Sequence, residues 1–274
     1  MRRVPASRAL CVLVACAASA AGTLLAPGGV HARAGVGRAG VLIPSSPREI
    51  LPLERHTVHS SNWSGYAVTS KLHRITAVSG SFVVPEASGA HFRFAATWTG
   101  IGGYRTNDLI QAGTAENTKS GGMYGKQYYA WYELLPDGER SLHNCSGDRK
   151  CRVQPGDRIS VAIHKVEASS WMISMTDSGH WRWRKRVNHS SSRSSAEWIL
   201  EAPTIGATQT KLADLGTVQF VESSRYTAAG NSHAIAGGRP IRIILTREAK
   251  PSALAADGQS FNDCTYHRAA CPRP

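Results

Sequence analysis

Short stretches in which apolar and polar residues alternate follow one another along most of the chain. Alternation with a period of two is typical of β-strands that bury one face, and the spacing of an amphipathic helix is nearly absent. The pattern predicts strands over Asn62–Thr69, Ile75–Val84, Phe92–Ile101, Asp108–Gly113, Gln127–Leu134, Arg158–Lys165, Trp171–Thr176, His180–Val187, Ala196–Glu201, Thr217–Val221 and Ile241–Leu245.

Residues that favour turns separate these strands, as at Gly102-Gly103, Pro136-Asp-Gly138 and Gly237-Gly238. A long series of short strands with almost no helix is typical of two stacked antiparallel sheets. The chain shows no repeat of a propeller or solenoid period. We therefore expect an all-β, concanavalin-like sandwich that forms a single domain over residues 59–248, followed by a tail over 249–274.

The N-terminus has the composition of a secretory signal peptide. Met1-Arg-Arg3 precedes an apolar run, and Val30-His-Ala32 offers a small-x-small cleavage pattern. We expect a signal over residues 1–32 and a secreted protein without stable membrane association, because glycine and proline interrupt the run before the roughly 20 residues of a bilayer span. In the alternative, Leu13-Val-Ala-Cys16 is a lipoprotein box and Cys16 carries a lipid anchor. Residues 33–58 are predicted to form a linker or short propeptide.

Four cysteines remain after the expected signal, which contains the other two. An even number in an exported protein predicts disulfides rather than free thiols. The close spacings favour local pairs, although the sequence alone allows three connectivities among Cys145, Cys151, Cys264 and Cys271. A zinc site is the alternative, but neither pair has the two-residue gap of a zinc knuckle and no paired histidine completes a ligand set. We expect neither metal nor cofactor.

The formal net charge of +13 suits a polyanionic partner. The densest basic stretch is His180–Arg186, where Trp181 and Trp183 alternate with arginines at strand period. Aromatic and cationic side chains together can bind single-stranded nucleic acid. The same period also places the tryptophans inward and the arginines in solvent, and we favour this structural interpretation over nucleic-acid binding.

Common hydrolase motifs are absent, including Gly-x-Ser-x-Gly, His-Glu-x-x-His and the Asp-Thr-Gly of paired-aspartate proteases. The candidates for chemistry are therefore carboxyl and amide side chains on the predicted strands. Alternation places Glu133 on one face with Tyr129 and Trp131, places Glu197 and Glu201 together beside Ile199, and places Gln111 with Leu109 and Gly113. A buried amide or carboxylate needs a partner, which makes these residues candidates for chemistry.

Seven segments, in this order, resemble those of the glutamic peptidases, or eqolisins, over about residues 60–222. They are Asn62-Trp-Ser-Gly65, Phe82-Val-Val-Pro85, Trp98-Thr-Gly-Ile-Gly-Gly103, Leu109-Ile-Gln-Ala-Gly113, Ala130-Trp-Tyr-Glu133, Pro155-Gly-Asp-Arg-Ile159 and Ala196-Glu-Trp-Ile-Leu-Glu201. The resemblance implies a sandwich whose concave face hydrolyses polypeptides with a Gln and a Glu, without metal or cofactor. We expect a monomer that acts in acid and, lacking the paired-aspartate motif, resists pepstatin.

Residue by residue, the resemblance implies that Gln111 and Glu201 are catalytic, with Glu197 as the alternative glutamate of the same block. It implies that Trp98 and Glu133 line the site, and Trp131 is a further candidate for substrate binding. Ionised Glu201 would take a proton from a water that attacks the scissile carbonyl, and the Gln111 amide would stabilise the oxyanion.

The sequence departs from the pattern of the fungal members at two acidic neighbours of the site. Gly102 stands where they have Asp, and Tyr129 replaces the Asp before Ala-Trp-Tyr-Glu. Two functions of other classes remain open. A noncatalytic sandwich could bind glycan or cell-wall polymer through Trp98 and Trp131, and a glycosidase could use Glu133 with Glu201 as its paired carboxylates.

Overall fold

The computed structural model describes residues 51–54, 56–72, 74–118 and 125–274, with backbone alone at 51–54. The expected signal peptide, Cys16 and most of the 33–58 linker therefore lie outside the described residues. Within the described ranges, no helix has the length and apolar character needed to cross a bilayer.

The described residues form strands and one short 3-10 turn at Ile235–Gly237. The strands are β1 (Leu51–Glu54), β2 (Thr57–Ser60), β3 (Trp63–Thr69), β4 (Ile75–Val83), β5 (Ala96–Ile101), β6 (Ile110–Thr118), β7 (Lys126–Leu134), β8 (Arg140–Ser141), β9 (Ser146–Gly147), β10 (Arg158–Lys165), β11 (Ser170–Asp177), β12 (Trp181–Asn188), β13 (Ser195–Glu201), β14 (Thr204–Ile205), β15 (Thr208–Gln209), β16 (Thr217–Ala228), β17 (Asn231–Ala234), β18 (Pro240–Leu245), β19 (Ala249–Pro251) and β20 (Phe261–Thr265).

These strands build a sandwich of two antiparallel sheets, as predicted. The front sheet runs in the order β8, β7, β6, β5, β13, β3, β18, and then β2, which pairs with β18 in parallel. The back sheet runs in the order β9, β12, β11, β10, β4, β16, and β16 pairs on its far side with β17 and β20. Strand β19 pairs with both β18 and β20 and so connects the two sheets.

The main core lies between the sheets. Alternate residues of the front sheet, such as Ile110, Ala112 and Trp198, pack there against Phe82 and Ile173 of the back sheet. These side chains are fully buried, so the core follows the inward half of the period-two pattern.

A second apolar cluster lies on the opposite, outer face of the front sheet. It includes Trp63, Trp98, Leu109, Trp131 and Ile199. Because both faces of the central front strands are covered, every residue of β6 and β13 is buried. Polar residues on the outer face of these strands are therefore held away from solvent.

The sheets extend beyond the expected limits of the domain. β1 and the first half of β2 lie within the stretch predicted to be a linker, and β20, within the predicted tail, pairs with β16. Sequence reasoning ended β16 at Val221, whereas the strand continues to Ala228 through a register shift that includes Ser223 at φ 90°. The polar run at this shift breaks the alternation, which is why the strand looked shorter.

Two disulfides staple local loops. Cys145 bonds Cys151 in the loop that carries β9, and Cys264 of β20 bonds Cys271 near the C-terminus. The second bond attaches the end of the chain to the back sheet.

The basic stretch around β12 has its tryptophans inward. Trp181 is buried in the main core, and Trp183 packs against Tyr132 with ring centroids 5.3 Å apart. Arg182 and Arg184 are exposed. The period of two in this stretch therefore serves strand packing, as the structural interpretation expected.

Candidate active site

Four adjacent strands, β13, β5, β6 and β7, carry the predicted catalytic residues on the outer face of the front sheet. Gln111 of β6 lies opposite Glu133 of β7, and Trp98 of β5 lies opposite Ile199 of β13. Alternation directs Glu201 to the face of Ile199. The fold thus brings every predicted site side chain to one buried face.

A glycine allows β5 and β6 to approach closely at the centre of this face. A Cβ on Gly113 would lie 2.1 Å from the Thr97 carbonyl oxygen and 2.6 Å from the Trp98 Cβ. Gly113 is the register partner of both Trp98 and Trp131. The residue without a side chain therefore leaves room for the two tryptophans that flank it.

Gln111 and Glu133 form a hydrogen-bonded pair. The Gln111 Nε2 donates to Glu133 Oε2 at 2.6 Å, and both side chains are fully buried. The Gln111 Oε1 accepts no hydrogen bond from any described residue. Burial, followed by the negative charge of Glu201, raises the pKa of Glu133 well above its ordinary value. Glu133 is therefore protonated and neutral at acidic pH, and the charge of Glu201 favours this protonated form.

Glu201 is held by two N–H donors. Trp98 Nε1 donates to Glu201 Oε2 at 2.9 Å, and Asn62 Nδ2 donates to Glu201 Oε1 at 3.3 Å. Trp63 packs edge-on against Trp98 at 4.8 Å between ring centroids, which fixes the indole that makes this contact. Sequence reasoning placed Trp98 in the site but gave no catalytic role to Asn62, which begins the first of the seven segments that resemble the glutamic peptidases.

Glu197, the alternative catalytic residue, has different partners. Its Oε1 accepts backbone N–H groups from Tyr104 at 3.0 Å and Gly103 at 3.2 Å. Burial raises its pKa to about 7. These contacts tie Glu197 to the loop after β5, whereas Glu201 contacts the side chains that surround the predicted pair.

The two residues that depart from the acidic pattern have specific surroundings in the structure. Gly102 has a φ of 86°, and a Cβ there would lie 2.7 Å from the Ser191 hydroxyl oxygen, so the site accommodates glycine rather than aspartate. The Tyr129 hydroxyl donates to Glu139 Oε2 at 3.4 Å. Burial raises the pKa of Glu139 to about 8. Sequence reasoning missed Glu139, which lies in the loop between β7 and β8. Its carboxyl group lies next to Tyr129, the β7 residue that replaces the aspartate of the fungal members.

The carboxylates of this face do not form a three-ligand metal group. Over the described ranges, the one group of three side chains close enough to share an ion is Asp157, Asp177 and His180, which belong to the back sheet and its loops. The chemistry available at the outer face is thus that of an amide and several carboxyl groups.

Comparison with known proteins agrees with this geometry. The model of the Peptidase A4 family matches residues 61–266, a range that includes all the predicted site residues and β20. The match defines a glutamic-type peptidase, a hydrolase that acts on polypeptides. The chain belongs to the peptidase A4 family, that is, to the eqolisins.

Solved structures with the same fold come from this family. Scytalido-glutamic peptidase bound to a transition state analog inhibitor has a TM-score of 0.60 and 22% identity, covering 75% of this chain and 98% of that chain. SCP-B, an eqolisin in complex with the tripeptide Ala-Ile-His, has a TM-score of 0.56 and 20% identity with the same coverage. No curated protein matched in a sequence comparison.

Proposed function

We propose that this protein is a secreted endopeptidase that cleaves peptide bonds in acid with Gln111, Glu201 and one activated water. The observation that carries the proposal is the arrangement on the outer face, where Glu201 lies between the N–H donors of Trp98 and Asn62. Family membership favours this activity over the glycan-binding and glycosidase alternatives.

In the proposed mechanism, Glu201 is the general base. Two neutral N–H donors can only donate, so they hold its carboxylate in place without supplying a proton. Glu201 takes a proton from water as the hydroxide attacks the scissile carbonyl carbon, and it then returns the proton to the departing amine nitrogen. The peptide C–N bond breaks and the new C–O bond remains in the acid product.

Gln111 supplies the second function. One N–H of its Nε2 is used by Glu133, which leaves the other N–H for the oxyanion and the Oε1 to accept from the attacking water. Glu133 thus orients Gln111 rather than reacting itself. Trp98 and Trp131 would line the substrate cleft, and because all these side chains are buried, a peptide must replace contacts that cover this face.

The pKa of Glu133 supports activity in acid. A protonated Glu133 places no second negative charge beside the developing oxyanion, whereas its ionisation at higher pH would oppose that charge. Proteolysis is therefore expected to fall as the pH rises through the pKa of Glu133, which lies above the ordinary value for a glutamate.

Export is supported by the N-terminal signal pattern and by the two disulfides. We propose cleavage after Ala32, a monomeric product and no lipid on Cys16. Trimming as far as Asn62 would remove β2, a strand that pairs with β18. Intact-mass analysis of the exported protein tests this proposal, and a mass that includes residues 1–32 or a lipid would overturn it.

The test of the activity is digestion of a denatured protein at several acidic pH values, with fragments identified by mass spectrometry. Glu201→Gln should abolish most cleavage, pepstatin should leave the wild type active, and Glu197→Gln should retain far more activity than Glu201→Gln. If Glu197→Gln is dead and Glu201→Gln is active, Glu197 is the base. Full activity in both variants would overturn the proposed mechanism.

A further inference from the structure

A second group of ionisable side chains lies at one end of the back sheet, away from the catalytic strands. Asp157 precedes β10, Asp177 ends β11, and His180 lies in the turn before β12. One ligand atom from each lies within 4.8 Å of the other two. Asp177 and His180 also line a surface cavity of about 570 Å³, together with Asp148.

Asp177 is buried among other ionisable side chains. The residue is only 2% exposed, and neither carboxylate oxygen accepts a hydrogen bond from a described N–H or hydroxyl group, while the neighbouring Asp157 carboxyl is close enough to share a proton with it. Arg149 forms an ion pair with Asp177, with Nη1 3.7 Å from Oδ2, beyond hydrogen-bond distance. A carboxylate in this position is expected to be neutralised by a closely bound cation or proton.

His180 contributes a buried ring nitrogen, Nδ1, near the carboxyl groups of Asp157 and Asp177. Its Nδ1 accepts or donates no hydrogen bond with the described residues and lies 3.7 Å from Asp148 Oδ2. The ring itself is partly exposed, with a third of its side-chain surface open to solvent. An imidazole nitrogen therefore lies beside two carboxyl groups.

Arg149 is the internal competitor for this position. Its Nη1 lies 2.5 Å from Asp157 Oδ1, and the other oxygen of Asp157 accepts the Gln154 N–H at 2.7 Å. Arg149 belongs to the loop that the Cys145–Cys151 disulfide closes, and its side chain is 23% exposed. A long side chain that reaches in from the rim can turn out to solvent when a metal ion takes its place.

We propose that Asp157, Asp177 and His180 form a divalent cation site that takes Zn²⁺. Two carboxylate oxygens and one imidazole nitrogen are ligands that Zn²⁺ accepts, with Asp148 or a water in a fourth position. Bonds of about 2.0–2.2 Å in tetrahedral geometry place the ligand atoms roughly 3.3–3.6 Å apart, so atoms that now lie within 4.8 Å of one another must close by about 1 Å around the ion. The ion would join β10, β11 and β12 at one end of the back sheet, so its role is structural rather than catalytic.

The first experiment measures thermal unfolding of the disulfide-intact protein after treatment with EDTA, at neutral pH, with Zn²⁺, Ca²⁺ or no metal added. Zn²⁺ at about 100 times its Kd should raise the Tm by roughly 5–10 °C. Ca²⁺, which prefers six to eight oxygen ligands, should raise the Tm much less. Isothermal titration should show one more bound Zn²⁺ per chain in the wild type than in His180→Gln.

Asp177→Asn and His180→Gln should both remove the Tm shift, while His164→Gln, at an exposed position on β10, should preserve it. His180→Gln keeps the test valid if the buried Asp177→Asn variant does not fold. A Zn²⁺ shift that survives in His180→Gln would place the metal elsewhere and overturn the proposal.

Arg149→Gln separates the cation site from a purely structural cluster. Removal of the competing guanidinium should strengthen Zn²⁺ binding at least several-fold, and Zn²⁺ should restore the stability that the substitution costs. If Arg149 is instead the permanent counter-ion of the two aspartates, Arg149→Gln will be destabilised and Zn²⁺ will not restore it. That result would also overturn the proposal, and it would leave the peptidase mechanism untouched.

Discussion

The two faces of the front sheet bury carboxyl groups in different ways. On the inner face, Glu116 accepts hydrogen bonds from the hydroxyls of Thr97 and Thr114. On the outer face, Glu201 accepts from N–H groups of Trp98 and Asn62. A hydroxyl can also accept a hydrogen bond and therefore suits a neutral acid, whereas an N–H can only donate and suits a carboxylate. Burial is common to Glu116 and Glu201, and the donors to these two carboxyl groups differ in type.

The largest expected effect concerns the outer face. Gln111→Ala and Glu201→Gln should each lower kcat/KM by about 10²–10³-fold, the scale of a lost oxyanion donor or acid/base group. The double variant should lose much less than the product of the two effects, because both groups act on one water. Steady-state kinetics with a fluorogenic peptide measures this, and circular dichroism checks the fold. If the loss in the double variant equals the product of the two single losses, the two groups act independently and do not share one water.

The next effect concerns the close approach of β5 and β6 at Gly113, beneath the outer face of the front sheet. Gly113→Ala should lower the free energy of unfolding by on the order of 3 kcal/mol, because its Cβ would overlap the Thr97 carbonyl oxygen of the adjacent strand. Gly138→Ala is the matched control, since a Cβ there meets nothing within 4 Å and the change should be within about 0.5 kcal/mol. Urea unfolding of both variants decides between a required glycine and a tolerated one.

Glu116 gives the inner face a pH dependence of stability. Burial raises the pKa of Glu116 from 4.5 to about 8, so the folded state binds more protons than the unfolded state between these values. Stability from this group is complete below pH 4.5 and is lost as the pH rises toward 8. Glu116→Gln should therefore be more stable than wild type at pH 8, by on the order of 4 kcal/mol, and similar to it at pH 4.

Urea unfolding at both pH values measures the effect of Glu116→Gln. Glu222→Gln, at an exposed position paired with Arg158, is the control and should leave the pH dependence unchanged. Equal destabilisation of Glu116→Gln at both pH values would show that the loss arises from packing rather than from the proton.

The smallest effect concerns Glu139, the acid that contacts Tyr129. Where Glu139 is ionised, above its own pKa of about 8, its negative charge raises the pKa of Glu133, after burial and the charge of Glu201. Glu139→Gln should therefore lower the pKa of Glu133 and move the alkaline limb of the pH–activity profile to lower pH. Activity at the optimum should change by less than about threefold. An unchanged profile together with a large loss at the optimum would indicate direct contact with the substrate instead.

Alternation along the sequence was sufficient to predict the sandwich and the faces of its central strands. The limits of β10 agree with the prediction at both ends, because its apolar residues alternate without interruption. β20 was missed because all five of its residues are buried, polar ones included, so no alternation marks it. Its pairing with β16 depends on residues more than 40 positions away, as in Phe220 with Phe261.

The predicted site residues were accessible to sequence reasoning because they lie on strands, where position determines the face. Asn62 and Glu139 were not, because each comes from a loop whose direction is set by packing. Nor could the sequence distinguish Glu197 from Glu201, since both point to the same face of β13. The difference between them lies in partners from the loop after β5 and from the start of the domain.

The hydrogen bond between Asn62 and Glu201 spans 139 positions of the chain. β19 and β20, which join the two sheets, are made later still. A chain that is still being synthesised therefore lacks the Asn62–Glu201 contact until Glu201 has been made, and contacts of such long range form slowly. The proposed base would then be positioned only after β13 has paired with β3 and β5, which makes catalytic competence a late product of folding.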